Sequence, residues 1–276
     1  MLRDRARSAA ILIPPLLVAL WIGEPWISLV VAIAVAIGAV EVFRLLTAAG
    51  LASFPSLGTA LAVVVALGDS VKVVPGGSGL LLFGVGIVLV GIAGLSRPDP
   101  REGLSSFVTT AFGAAYVGLL GYVSRLANGG PAIDPTAFLG WLGSGRAWVI
   151  ILVFGVWSFD TAAYFVGRRF GRRHFIPHIS PGKTLEGVAG GVIAAVIVTA
   201  VLVTLLGRST LAGIGLGLAI ALAAQAGDLA ESMLKRAAGA KESGTLIPGH
   251  GGMLDRIDSL LFAAPVTFLY VVAAFR

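Results

Sequence analysis

Cysteine is absent from all 276 residues, which excludes disulfides, thiolate nucleophiles and cysteine-based metal sites. Charge is also scarce: Asp, Glu, Lys and Arg make up 12% of the chain, and histidine occurs three times. A chain this apolar is a poor fit to nucleic acid, despite a formal net charge of +6. No internal repeat and no low-complexity tail is evident, which weakens an inverted-repeat transporter reading. What is abundant is hydrocarbon: 57% of residues are hydrophobic and the mean hydropathy is +0.95.

Repeated apolar runs approach the ~20 residues needed to cross a bilayer core, so the expected class is an all-α, polytopic membrane helical bundle. Nine spans are expected, at 8–23, 26–46, 53–68, 78–95, 106–123, 147–166, 185–206, 211–234 and 254–275. The 38 glycines suit a bundle in which small residues let helix backbones approach. Arg3, Arg5 and Arg7 before an apolar run resemble a secretory leader, but Pro14-Pro15 and the lack of a small-x-small cleavage site favour a retained first helix.

Nine spans with a cytoplasmic N-terminus put most positive charge on one side. The inside segments then hold Arg3, Arg5, Arg7, Arg44, Arg97, Arg101, Arg168, Arg169, Arg172, Arg173, Lys183, Lys235, Arg236, Lys241 and Arg256, fifteen of the 20 basic residues. Such loops meet anionic headgroups or phosphates. Along the chain, residues 1–123 read as scaffold with Glu41 as the main buried charge, 124–146 as an extracytoplasmic connection, and 147–276 as the region where chemistry concentrates.

Ionisable groups beside hydrocarbon are costly and usually functional. Asp228, Ser232 and Lys235 follow at spacings of four and three, hence on one helix face. Two readings stay open: a neutralised Asp–Lys pair that holds helices together, or a metal ligand with Lys235 and Arg236 binding phosphate at the helix end. Asp255 and Asp258 open the last span at a spacing of three, where acids favour the helix dipole as simple caps. Together with Asp228 they would also suit a hard divalent cation such as Mg²⁺, which takes oxygen ligands and substrate phosphates.

The segment from Ser158 to Gly187 carries Asp160 and Tyr164 on one face, then four arginines, then Ser180-Pro181-Gly182-Lys183-Thr184 before a helix start. The arginines either enforce topology or serve the site. A lysine and two hydroxyls at a helix N-terminus suit an anion. Gly182-Lys183-Thr184 mimics the end of a P-loop, but Pro177 stands where its first glycine belongs. His174 and His178 resemble half a zinc site, yet arginines crowd them and no cysteine is available. His250 lies among glycines, either as a phosphate contact or as a cap.

These residues form a long pattern: Ser232-x-x-Lys235-Arg236, Lys241, Ile247-Pro248-Gly249-His250-Gly251-Gly252 and Leu254-Asp255-Arg256-Ile257-Asp258. With Asp160-Thr161-x-Ala163-Tyr164, Ile179-Ser180-Pro181-x-Lys183-Thr184-x-Glu186-Gly187 and Gly227-Asp228, it resembles the phosphatidate cytidylyltransferases over residues 147–260. Glu242 departs from that family's pattern, which has Asp after the lysine. The resemblance implies transfer of the cytidylyl group of CTP to phosphatidate, giving CDP-diacylglycerol and pyrophosphate in phospholipid synthesis. It further implies Mg²⁺, with a second cation left open, at Asp228, Asp255 and Asp258, with Asp228, Asp255, Lys235 and Arg236 in the catalytic set. Ser180, Lys183, Thr184, Ser232, Lys241, His250 and Arg256 would bind substrate, while Asp160 is structural or tunes Lys183. A multi-pass protein of the cytoplasmic membrane is implied, its site facing the cytoplasm, with membrane lipids as surroundings and a homodimer as the expected assembly. Gly213-x-Gly215-x-Gly217 either packs internally or forms that dimer face. A CTP-dependent polyprenol or phytol kinase, and a cation-coupled transporter using Asp160 and Asp228, are the alternatives.

Overall fold

The computed structural model describes residues 14–68, 79–246 and 251–275; Arg3, Arg5, Arg7, Lys72 and His250 lie outside them, as do residues 8–13 of the expected first span. Residues 14–22 are helical. The helices that follow are α1 (Trp26–Ala48), α2 (Pro55–Leu67), α3 (Gly79–Gly94), α4 (Pro100–Gly118) and α5 (Tyr122–Gly129). They continue as α6 (Ser144–Phe170), α7 (Leu185–Leu205), α8 (Thr210–Ala237) and α9 (Leu254–Ala274). Among the described residues six helical segments are long and apolar enough to cross a membrane, and α2 and α3 are shorter apolar helices. The protein is an all-α polytopic membrane protein, with one small antiparallel hairpin, β1 (His174–Ile176) and β2 (Ser180–Thr184).

Element ends follow local chemistry. Helix α4 starts at Pro100, six residues before the expected 106, because the Asp99 side chain accepts from the Arg101 amide at 2.9 Å and Pro100 needs no amide partner. Helix α5 follows after one 3₁₀ turn and carries helical structure to Gly129, so the connection to α6 is shorter than the expected 124–146. Within that connection, the Thr136 hydroxyl and amide donate to Asp134 at 2.6 and 2.8 Å. These bonds hold the Asp134 carboxyl below the ordinary range, the hydroxyl contributing most. Pro265 sits inside α9, a position tolerated in membrane helices because neighbouring groups can satisfy the freed carbonyl.

Contacts divide the chain into two compact units: residues up to Ser124 with Met233–Ile257, and Arg125–Ser232 with the residues from Asp258 onward. The division falls within α8 and α9. In the first unit α1, α2 and α4 pack on one another, and α3 packs on α2 and α4. In the second, α6 and α7 form the most extensive helix pair; Gly187 and Gly191 on α7 come against Ala163 and Phe159 of α6. Gly213, Gly215 and Gly217 of α8 face Val203, Tyr270 and Val196 inside this unit, so the glycine run packs internally. Large apolar side chains remain exposed on most long helices, among them Leu29, Leu104, Phe154, Ile193, Leu222 and Leu269, as lipid-facing surfaces require.

Candidate active site

The second unit holds the first polar cluster. The β1–β2 hairpin pairs His174 with Thr184 and Ile176 with Ser180. Its open end is closed by Glu186, which accepts from the amides of Arg172 and Arg173 at 3.0 and 3.2 Å. Thr184 is the N-cap of α7, its hydroxyl accepting from the Gly187 amide at 3.2 Å. Sequence chemistry thus ties the hairpin to the start of a long helix, and the hairpin presents Lys183. The Lys183 ammonium pairs with Oδ2 of Asp228 on α8; the two side chains are 20% and 29% exposed. Ser232, one turn on, points its hydroxyl to Asp228 Oδ1 at 3.4 Å.

Beside Asp228, Gly227 lets α8 and α9 meet: a Cβ there would collide with the Asp258 carbonyl oxygen. Asp258 Oδ1 accepts from the Ser259 amide at 2.6 Å, and the Ser259 hydroxyl reaches Asp160 Oδ1 at 3.4 Å. Tyr164, 59% exposed, accepts from Arg168 at 3.1 Å. Ser180 lies at the start of β2 and is partly exposed.

The first unit holds the second cluster. Lys235, in the last turn of α8, donates to Asp255 Oδ1 at 2.6 Å, and their side chains are only 12% and 10% exposed. Oδ2 of Asp255 receives three more donors, the Ser243 amide at 2.9 Å, the Ser243 hydroxyl at 2.8 Å and the Gly252 amide at 2.8 Å. Gly251 turns the chain into this nest with φ of +79°, a conformation open to glycine, and a Cβ there would fall 2.6 Å from Asp255 Oδ2. Arg236 donates to the Ala240 carbonyl at 3.2 Å, closing the α8 terminus, where cations complement the helix dipole. Lys241, Glu242 and Arg256 are exposed.

The expected residues therefore fall into two groups. Lys183, Thr184, Ser180, Asp228, Ser232 and Asp258 belong to one, and Lys235, Arg236, Lys241, Asp255 and Arg256 to the other; His250 is outside the described residues. The His174 and His178 side chains are exposed on the hairpin. Sequence reasoning assigned no site role to three residues that the structure draws in: Ser243, which binds Asp255, Glu186, which closes the hairpin, and Glu41, taken up below. The signal for Glu41 was present, since it is an acid inside an apolar run.

Among the described residues no three carboxylates or imidazoles converge. The donors nevertheless suit a hard divalent cation taken singly, being oxygens without sulfur. Asp228 fits best, because its Oδ1 has only a long 3.4 Å approach from Ser232. Asp255 offers Oδ1 alone, since Oδ2 has two lone pairs and already meets three donors.

Comparison with known proteins gives the same direction as the motif. Over 116 residues the chain is 49% identical to the phosphatidate cytidylyltransferase of Haemophilus influenzae, covering 40% of each protein. It is 42% identical over 132 residues to the phosphatidate cytidylyltransferase of Bacillus subtilis, covering 47% of this chain and 48% of that one. An uncharacterized Escherichia coli protein, YnbB, is 46% identical over 128 residues, 46% of this chain and 43% of that protein. The matched segments thus span less than half the length of each of these relatives. The model of the Cytidylyltransferase family extends much further, from residue 3 to residue 274, and the chain belongs to that family.

Proposed function

We propose that this protein is a membrane nucleotidyltransferase that makes CDP-diacylglycerol and pyrophosphate from CTP and phosphatidate. The reading is carried by the 42–49% identity to proteins named phosphatidate cytidylyltransferase. The paired lysines and carboxylates of the motif supply the matching chemistry.

One phosphate oxygen of phosphatidate attacks the α-phosphorus of CTP. A new P–O bond forms, the bond from the α-phosphorus to the bridging oxygen breaks, and the electron pair leaves with pyrophosphate. The attacking oxygen is already ionised, so no strong general base is needed. The obstacle is bringing two polyanions together, which positioned cations relieve. Lys183 and Lys235 are the best-held cations, each pre-aimed by a carboxylate. Arg236, Lys241 and Arg256 add exposed positive charge for phosphate oxygens, with Ser180, Thr184, Ser232 and His250 as hydrogen-bond partners. Mg²⁺ is the proposed cofactor, Asp228 the acid with the most open oxygen for it and Asp255 and Asp258 the further candidates; bound there it neutralises phosphate charge. With the N-terminus in the cytoplasm, CTP reaches the site from water and phosphatidate from the bilayer, and the working assembly is a homodimer.

The test is pyrophosphate release by purified protein in detergent. Release requiring both CTP and phosphatidate, and abolished in Asp228→Asn, is expected. Release from CTP without lipid, or formation of soluble CDP with phosphorylated lipid, contradicts the proposal.

A further inference from the structure

Glu41 lies in α1, far in sequence from every motif residue, yet it is 3% exposed and fully engaged. Its Oε1 accepts from the Met253 amide at 3.0 Å, and its Oε2 from the Leu254 amide at 2.8 Å. Those are amides at the start of α9, where the helix has no partners of its own and where Met253 supplies no capping side chain. Glu41 is therefore the cap of α9, with its negative charge at the positive end of the helix dipole. Its Oε2 also faces the Ser243 hydroxyl at 2.9 Å, across 202 residues of chain. The same hydroxyl lies 2.8 Å from Asp255 Oδ2, so its one proton is shared between the two carboxylates. Gly252 is pressed against this carboxylate, since a Cβ there would fall 2.5 Å from the Glu41 carboxyl carbon.

A helix start can be capped locally by Ser, Asp or Asn at little cost, whereas burying a carboxylate beside hydrocarbon is expensive. The expense fits a group that must fix more than one helix turn. Glu41 joins two stretches of chain, Ser243 in one and Met253 and Leu254 in the other. Asp255 is bound by Ser243 and Gly252 from the same two stretches, and it holds Lys235.

We propose that Glu41 is a positioning residue for nucleotidyl transfer: through Ser243 and the first amides of α9 it fixes the Asp255 carboxylate, and through Asp255 the Lys235 ammonium. The N-terminal region is then part of the catalytic apparatus and not scaffold alone. Glu41 touches no reacting atom in this scheme. The proposal rests on the nucleotidyltransferase reading, because the effect sought is on that reaction.

The experiment uses full-length protein in detergent, as wild type, Glu41→Gln, Glu41→Asp and Ser243→Ala. Steady-state kinetics are normalised to folded protein, and hydrogen exchange is followed at residues 251–256. Glu41→Gln replaces one acceptor oxygen by a donor that faces an amide or the Ser243 hydroxyl. A displacement near 1 Å at a positioned group costs up to about a hundredfold, so kcat for Glu41→Gln should fall by roughly ten- to a hundredfold. KM for phosphatidate should stay constant, and exchange at Met253 and Leu254 should quicken. Glu41→Asp should recover part of kcat, and Ser243→Ala should lose a smaller factor in the same direction. Wild-type kcat per folded molecule in Glu41→Gln overturns the proposal, even with lowered thermal stability. If that variant does not fold, wild-type kcat in both Glu41→Asp and Ser243→Ala overturns it instead. A wild type that makes no lipid product fails the functional reading itself, and unchanged exchange at 253–254 in Glu41→Gln would then remove the underlying contact as well.

Discussion

The two lysine–carboxylate pairs look alike in sequence and differ in how they are held. Lys183–Asp228 is partly exposed, and Asp228 has one further approach, the 3.4 Å contact from Ser232. Lys235–Asp255 is nearly buried, and Asp255 is fixed by three further donors from Ser243 and Gly252. The more water reaches an ion pair and the fewer fixed donors hold it, the less it costs to break. The comparison separates two jobs that one motif combines. On the proposed reading, Lys183–Asp228 is the pair that opens to a phosphate or cation, and Lys235–Asp255 is the pair that stays in place.

The largest test of that difference is Asp255→Asn. It removes the carboxylate charge facing a lysine only 12% exposed, and breaking a buried pair costs about 3 kcal/mol or more, so the variant should lose both activity and thermal stability. Replacing both partners, as Lys235→Met with Asp255→Leu, should return much of the stability and none of the activity, because well-packed apolar groups can substitute for a buried ion pair. Retained activity in that double variant would show that the pair is structural only. Asp228→Asn comes next: product formation should vanish with a smaller loss of thermal stability than in Asp255→Asn, because this pair is the more exposed of the two. An equally large drop in stability would make the two pairs equivalent and remove the distinction.

Smaller effects sharpen the same contrast from outside the pairs. Glu186→Gln should weaken the bonds from the Arg172 and Arg173 amides, quicken exchange across the hairpin, and lower activity by a modest factor through Lys183. Unchanged exchange there would detach Glu186 from the positioning of Lys183. The least effect is expected at Asp134, where Thr136 lowers the carboxyl pKa in the folded protein. That contribution is present above the ordinary carboxylate range, near pH 4, and is lost as pH falls through the lowered value. Asp134→Asn should therefore flatten the acid side of a thermal-stability profile slightly and leave turnover unchanged.

Much of this architecture was readable from the sequence because hydropathy is a one-dimensional signal. The expected spans at 26–46, 185–206 and 254–275 lie close to Trp26–Ala48, Leu185–Leu205 and Leu254–Ala274. Hydropathy failed where helix and apolar run part company. Arg125 and Asn128 ended the apolar signal at 123, although the backbone stays helical to Gly129. The β1–β2 hairpin was hidden because its strands are three and five residues long, too short for alternation to register. Among the candidate residues, Asp228, Lys235 and Asp255 were visible as charges in apolar surroundings. Their partners were not, since nothing in the sequence pairs Lys183 with Asp228, or Lys235 with Asp255 across 20 residues. Glu41 shows the limit most plainly. Its charge marked it, but its contacts join residues more than 200 positions apart, which only the fold could supply.

The central claim is that this chain transfers a cytidylyl group to a lipid phosphate, and the position of the label decides it. Purified protein should be given phosphatidate, Mg²⁺ and CTP labelled at either the α- or the γ-phosphate. The account predicts α-label in the lipid and γ-label in soluble pyrophosphate, both lost in Asp228→Asn. Lipid that carries the γ-label, with soluble CDP left behind, would contradict it and make the protein a lipid kinase.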